Sequence, residues 1–240
     1  MTHRLYTDLA PWWAALANRD SHPAEAAHLQ ALADQALGCR VESLLEIGCG
    51  GGGIAAHFDD DREVVLCDLS AEMLEVCRGH NPGRTCVQGD MRTLRLDRTF
   101  DAVLLHDAVM YLTSEADLQA TMHTAAAHLN PGGVFLVVPD VLKEGFTERA
   151  VSGGTVGYPG IQLLEWHWDP DPSDETYQLD INILLRTEAG TMEAIHETHT
   201  LGLFSAETFV RCLMNAGLKP VSELIWDETL LPEVFAARRR

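Results

Sequence analysis

The stretch Leu44-Leu45-Glu46-Ile47-Gly48-Cys49-Gly50-Gly51-Gly52-Gly53 constrains the fold more than any other. An apolar run with strand character ends in five glycines spread over six positions. Glycine reaches backbone angles that other residues avoid and carries no Cβ, so such a loop lets a ligand lie on bare backbone. A strand that feeds a glycine loop and then a helix-like stretch opens a βαβ unit. Two spacings are satisfied at once. Gly48, Gly50 and Gly53 fit the dinucleotide pattern G-x-G-x-x-G, and Gly48, Gly50 and Gly52 fit G-x-G-x-G. Spacing alone leaves the ligand open.

The rest of the chain extends that unit. Apolar runs at 43–47, 64–67, 85–88, 102–105 and 134–138 read as buried strands, and helical stretches at 54–58, 71–78 and 114–129 fall between them. This alternation predicts an α/β fold with parallel strands and helices on both faces. Ser70 and Ser114 stand where N-caps belong. After Pro139 the texture changes. Segments 161–168, 176–186 and 192–202 alternate apolar and polar residues, as at Tyr177, Leu179, Ile181 and Ile183, and turn-forming residues separate them. They predict an antiparallel sheet inserted into the main domain. Ser205 then caps a helix that ends at Gly217, and 220–226 with 230–236 predict a final strand pair. Residues 5–37 read as mostly helical, with a break at 21–23.

Composition narrows the partners. The 240 residues are 46% apolar, enough for a large core. Seventeen basic against 36 acidic residues give a net charge of −19, which opposes nucleic-acid binding. The basic run Arg238-Arg239-Arg240 is expected to be a solvated tail. Six cysteines without a Cys-x-x-Cys pair, no secretory signal and no membrane-length apolar run point to a cytoplasmic setting. A small-molecule substrate is the expected partner, with neither nucleic acid nor membrane, and a homodimer is a compatible assembly.

Charge then discriminates between ligands. Glu46 lies two residues before Gly48, near the carboxyl end of the first strand. A pyrophosphate there meets a like charge. S-adenosylmethionine (SAM) brings a sulfonium and an ammonium, which a carboxylate attracts, more strongly where water is excluded. The loop amides and the helix N-terminus are placed to meet its carboxylate. Asp68 ends the second strand, where a carboxylate accepts from ribose hydroxyls in either type of site. Asp90 follows the third strand and is suited to accept from an adenine amine or to serve as turn chemistry after Gly89, and Met91 offers soft apolar surface to a base. Three acidic groups after three successive strands share the carboxyl edge of the sheet, where open α/β folds bind ligands.

The stretches LLEIGCGGGG, LCDLSAEMLEVCR, VQGDMRTL, TFDAVLLHDAVMYL and LNPGGVFLVVPD, in that order over residues 41–139, resemble the class I SAM-dependent methyltransferases. The resemblance implies a Rossmann-like, seven-stranded, mostly parallel sheet whose last-but-one position holds an antiparallel strand. It implies SAM as cofactor, surrounded by Glu46, Gly48, Gly50, Asp68, Leu69, Asp90 and Met91. It also implies an N-terminal helical lid (1–40) over SAM, which brings in Tyr6, Trp12 and Trp13. The SAM-binding domain is then 41–140 with 204–240, and 141–203 is an inserted antiparallel region on the substrate side. The insert and tail resemble more loosely the branch of antibiotic-sugar N,N-dimethyltransferases and glycine N-methyltransferases.

Methyl transfer is an in-line displacement at an already activated carbon, so it asks mainly for a close, aligned and partly desolvated nucleophile. LLHDAVMYL ends the fourth strand, beside the position the resemblance implies for the methyl group. His106, Asp107 and Tyr111 are therefore the catalytic candidates: a base in the right range, a carboxylate for an amine or hydroxyl, and a wall of the pocket. In the sugar N-dimethylating branch a histidine takes the place of Tyr111, a departure here. Trp166 and Trp168 share a strand face, with His167 opposite. No metal is expected, since His196 and His199 do not fit H-E-x-x-H and face opposite ways on a strand. An NAD(P)-dependent oxidoreductase is the alternative enzyme, although neither lysine, Lys143 or Lys219, follows a tyrosine as Tyr-x-x-x-Lys. A non-catalytic SAM-binding protein is the other alternative.

Overall fold

The strands of the main sheet are apolar on both sides, apart from a half-exposed one at its edge, which places them inside a parallel sheet covered by helices. They are β1 (Ser43–Ile47), β2 (Glu63–Asp68), β3 (Thr85–Gln88), β4 (Phe100–His106) and β5 (Leu129–Val138). A second set follows: β6 (Arg149–Gly154), β7 (Gly160–Trp168), β8 (Thr176–Arg186) and β9 (Met192–Gly202). The chain closes with β10 (Leu218–Pro220) and β11 (Phe235–Arg239). The computed structural model describes residues 3–13, 22–155, 160–222 and 224–240.

The seven-stranded sheet runs β10-β11-β5-β4-β1-β2-β3, parallel except at β11, which is antiparallel to both neighbours and occupies the last-but-one position. Leu45, Ile47, Val103 and Leu105 pack on one face with α3 (Glu115–Ala127) and α4 (Ala206–Asn215). Leu44, Leu66 and Leu104 pack on the other with α1 (His22–Leu37) and α2 (Ala71–His80). The four remaining strands form a separate antiparallel sheet, β6-β7-β8-β9. Its inner face carries Ile161, Tyr177, Leu179, Ile181, Ile183 and Ile195, which join the first core. Trp166 and Trp168 point outward and His167 inward. The fold class and the inserted sheet are as the sequence predicts. Among the described residues no helix is long and apolar enough to cross a membrane.

Four local expectations are corrected. The final strands are β10 and β11 rather than 220–226 and 230–236. The segment between them lies over α1, where Gln35 Oε1 and His28 Nε2 accept from the Ile225 and Asp227 amides, so those amides have no need of a neighbouring strand. Arg238 and Arg239 are not a solvated tail. They belong to β11, and their guanidiniums donate to the carbonyls of Ala36 and Leu129. The stretch after the glycine loop is a single 3-10 turn, Ala55–His57, because Arg84 takes the Ala55 and Phe58 carbonyls. No α-helix N-terminus therefore stands at that loop. The N-terminal segment opens with two 3-10 turns, Arg4–Tyr6 and Ala10–Trp12. The break at 21–23 lies partly outside the described residues, and α1 carries Pro23 in its first turn, where a missing N–H costs little. Strand β6 had no sequence signal: all six of its residues are exposed and two are glycine.

The three predicted serine caps all form. Ser70, Ser114 and Ser205 accept from the amides of Met73, Asp117 and Thr208 at 3.0, 3.2 and 3.1 Å. Ser70 alone also donates to the Tyr6 carbonyl, at 2.5 Å, and so ties the N-terminal segment to α2. Ser114→Ala is expected to lower stability by about 1 kcal/mol, the usual worth of a cap. Ser70→Ala is expected to lower it by about 2 kcal/mol, because its half-buried bond to Tyr6 goes too, whereas the further bond of Ser114, to Asp117, is exposed and local. Urea denaturation of the two variants measures both, and equal losses would contradict the tie through Ser70.

Candidate active site

The glycine loop is tight because the segment after β4 presses against it. A Cβ on Gly48, whose φ is +75°, would fall 2.3 Å from the Ala108 Cβ. Gly50, at φ +53°, donates its amide to Asp68 Oδ2 at 2.8 Å, and Ser70 donates to Asp68 Oδ1 at 2.9 Å. Burial raises the Asp68 carboxyl above its ordinary range, against the pull of these amides. Leu69 beside it is 62% exposed. At the end of β1, Glu46 is only 4% exposed and its Oε2 has no hydrogen-bond partner. Burial pushes its carboxyl up to about 8, with Cys77, Asp107 and Asp68 adding negative potential and Arg84 opposing.

After β3, Asp90 forms an Asx turn with the Arg92 amide at 2.9 Å and binds the Arg92 guanidinium at 2.6 Å. The guanidinium, also paired with Asp117, holds Asp90 below the usual carboxylate range. Of the two roles foreseen for Asp90, the turn is formed, and the available carboxylate meets a competing arginine. Met91 packs, half-buried, against the main core. Trp13 is the tryptophan that reaches the loop: a Cβ on Gly51 would fall 2.6 Å from its Cδ1.

After β4, the backbone of Asp107 is strained, with φ 56° and ψ −47° in a non-glycine residue. The amide of Asp107 donates to the Val138 carbonyl at 3.0 Å, so β5 holds the strained turn in place. His106 Nε2 lies 3.1 Å from Asp107 Oδ1, and burial lowers the His106 pKa, so the imidazole is neutral at pH 7. Asp107 and Asp140, just beyond the ends of β4 and β5, are near enough for each to act on the other's carboxyl. Both rise above the ordinary range because protein walls desolvate them, and Asp140 rises further because Asp107 faces it. Two facing carboxyls resist being ionised together. Solvent still reaches 59% of the Asp107 side chain. The pair therefore lies on the floor of an open cleft, and that water tempers the rise. Tyr111 and Tyr6 form one wall: their hydroxyls are 2.5 Å apart and their rings meet edge to face.

The predicted residues fall into two adjoining groups. Glu46, Gly48, Gly50, Asp68 and Leu69 surround the loop, and His106, Asp107, Tyr111 and Tyr6 line the cleft. Electrostatic contacts of Asp68 with Tyr6, and of Asp107 with Glu46, join them. Sequence reasoning missed Asp140, although it ends the FLVVPD run by the same edge rule that selected Asp68. It also missed the inner face of the inserted sheet. His167 Nδ1, the Tyr177 hydroxyl and His199 Nε2 are buried there without hydrogen-bond partners. Only the register of the second sheet brings them toward the cleft.

A family profile described as a methyltransferase domain matches residues 44–133. The dTDP-3-amino-3,6-dideoxy-alpha-D-glucopyranose N,N-dimethyltransferase of Streptomyces fradiae is 32% identical over 181 residues, 75% of this chain and 71% of that protein. The chain belongs to the class I SAM-dependent methyltransferases. The dTDP-3-amino-3,4,6-trideoxy-alpha-D-glucopyranose N,N-dimethyltransferase of Streptomyces venezuelae is 30% identical over 74% of this chain and 75% of its own length. The SAM-bound amino pentose methyltransferase of Micromonospora echinaspora superimposes with a TM-score of 0.78 at 24% identity, covering 100% of this methyltransferase and 98% of that chain.

SAM is the cofactor of this methyltransferase, and the loop fits it. An orphaned, buried carboxylate oxygen at Glu46 suits a ligand that carries positive charge, and the bare backbone at Gly50, where a Cβ would meet only the Met73 Cε at 3.5 Å, leaves room for it. The raised Glu46 carboxyl also has a consequence for stability. A carboxyl whose folded pKa exceeds its unfolded one binds its proton more tightly when folded. Its contribution is therefore full below the ordinary value near 4.5 and is lost as pH rises toward about 8. Glu46→Gln is expected to stabilise the ligand-free protein at pH 8 by about 1–3 kcal/mol and to change little at pH 5. Urea melts at the two pH values measure this, and a variant less stable at pH 8 would contradict it.

Proposed function

We propose that this methyltransferase moves the methyl group of SAM onto the amino nitrogen of a small sugar-like acceptor, in a cytoplasmic setting. The observation that carries the reading is the Asp107–Asp140 pair on the floor of the cleft, beside the Tyr6–Tyr111 wall. An amine reaches the site as an ammonium and must lose a proton before its lone pair can attack. A facing carboxylate pair attracts the ammonium, and its raised proton affinity lets it take the proton. The two dTDP-amino-sugar N,N-dimethyltransferases among the relatives support a nitrogen acceptor. Six unpaired thiols support a reducing compartment.

SAM supplies the methyl group on a sulfonium, which departs as a neutral thioether when the nitrogen takes the methyl carbon. The chain's own residues do the rest. Glu46 would offset the positive charge, Gly50 would let the ligand lie on backbone, and Asp68 with Leu69 would border the ribose. Asp90 and Met91 would meet the adenine, with Arg92 sharing the Asp90 carboxylate. Tyr6 and Tyr111 would wall the methyl path, and His106, held neutral, would keep Asp107 oriented.

Incubation with SAM and a dTDP-linked amino sugar is expected to yield N-methylated product by mass spectrometry. Asp107→Asn is expected to lower kcat/KM about 100-fold while SAM still binds, the usual loss for a proton-transfer group. The rate is also expected to fall as pH drops below the raised Asp107 value. Methylation on oxygen, or an Asp107→Asn variant as active as the parent, would overturn this reading.

A further inference from the structure

A chain of polar atoms behind the Tyr6–Tyr111 wall has no part in the function just described. His199 is fully buried on β9. Its Nδ1 lies 2.9 Å from the Tyr111 hydroxyl, which lies 2.5 Å from that of Tyr6. On the far side of the ring, Nε2 has no hydrogen-bond partner, and Glu197 Oε2 stands 3.7 Å away. Glu197 is fixed there by the N-terminal segment: the amides of Arg4 and Leu5 donate to its two oxygens at 2.6 and 3.0 Å. His3 lies against the imidazole, with ring centroids 3.6 Å apart and the planes tilted by 33°. The ligand atoms of His3, Glu197 and His199 lie within 4.8 Å of one another, close enough to suggest a metal site. Yet both Glu197 oxygens already accept amides, and the Tyr111 hydroxyl already occupies His199 Nδ1. The cluster is better described as one end of a hydrogen-bond chain.

A hydroxyl has a single proton, so a chain of hydroxyls has a direction. With Nδ1 bare, Tyr111 donates to it, Tyr6 donates to Tyr111, and Tyr6 has only lone pairs to offer the cleft. With a proton on Nδ1, every bond reverses and Tyr6 donates into the cleft. The choice is made at Nε2. A lone pair there would face a carboxylate, whereas an N–H there is attracted to it. Burial lowers the His199 pKa to about 4, with His3 adding to the effect and Glu197 and Glu165 opposing it. The ring is therefore neutral at pH 7 and must adopt one tautomer or the other.

We propose that Glu197 fixes His199 as its Nε2–H tautomer, and that His199, a positioning residue, thereby makes Tyr6 a hydrogen-bond acceptor for the N–H of an amine substrate. The proposal rests on the amine reading of the cleft. A primary or secondary amine can give an N–H to Tyr6 and keep its lone pair for the methyl carbon. The N-terminal segment, by holding Glu197, becomes part of that selection.

The test pairs a spectrum with kinetics. Long-range 1H–15N spectra of the full chain report which nitrogen of His199 carries the proton, without any acceptor present. The Nε2–H form is expected in the parent, and the Nδ1–H form in Glu197→Gln, whose amide can donate to Nε2. In methylation of a dTDP-linked amino sugar, His199→Asn places an acceptor oxygen near the Nδ1 position and is expected to keep kcat within about threefold. His199→Gln reaches only the Nε2 position and is expected to lower kcat about tenfold, with SAM affinity unchanged. An Nδ1–H form in the parent, or equal losses in the two His199 variants, would overturn the proposal. If the Nε2–H form is present but no amine is methylated, the amine reading fails while the tautomer assignment stands.

Discussion

Glu46 has no partner for its buried oxygen, and the organisation of the site follows from that deficit. Its neighbours in register, Leu66 and Leu104, show what the position would ordinarily hold. A buried polar group without a hydrogen bond costs about 1–3 kcal/mol, and a charged one more. Such a residue is useful where a ligand brings the missing partner. The loop above it is nearly all glycine, so a ligand can approach closely. Asp68, Asp107 and Asp140 share the same sheet edge and make it hostile to a diphosphate. A ligand with a sulfonium and an ammonium meets the reverse: its charge neutralises the edge that repels a dinucleotide.

The same edge serves the acceptor. β4 and β5 end side by side, and the strained backbone of Asp107 turns its carboxyl toward Asp140. Strain of about 1–3 kcal/mol at one residue persists only where the surroundings impose it, here through the Val138 carbonyl and the packed turn after it. The inserted sheet closes the other side of the cleft with a face that is apolar at its centre and polar near the tyrosines. Neither sheet alone makes the site.

Much of this was legible in the sequence, for physical reasons. β1, β8 and β9 have the expected bounds because each is either a short run buried on both faces or a long alternation with one dry face, and β3 keeps them at the half-exposed sheet edge. The caps at Ser70, Ser114 and Ser205 depend only on local chemistry. Glu46, Asp68 and Asp107 follow from strand ends. What stayed hidden depends on contacts distant in sequence. Arg84 ends the turn after the glycine loop from 29 residues away. The terminal arginines looked like tail because their carbonyl partners lie across the sheet. His199 and Tyr111 meet across 88 residues, and only the register of β8 with β9 puts His199 on the inner face. β6, exposed throughout, leaves no hydrophobic pattern to read.

The central claim is that Glu46 holds its proton in the ligand-free protein and gives it up to become the counter-charge of SAM. Isothermal titration of SAM at pH 7 in buffers of different ionisation enthalpy measures that proton directly. Close to one proton should be released per SAM bound by the parent, and almost none by Glu46→Gln, which should also bind more weakly. Binding without proton release in the parent, or equal release by the two proteins, would contradict the account.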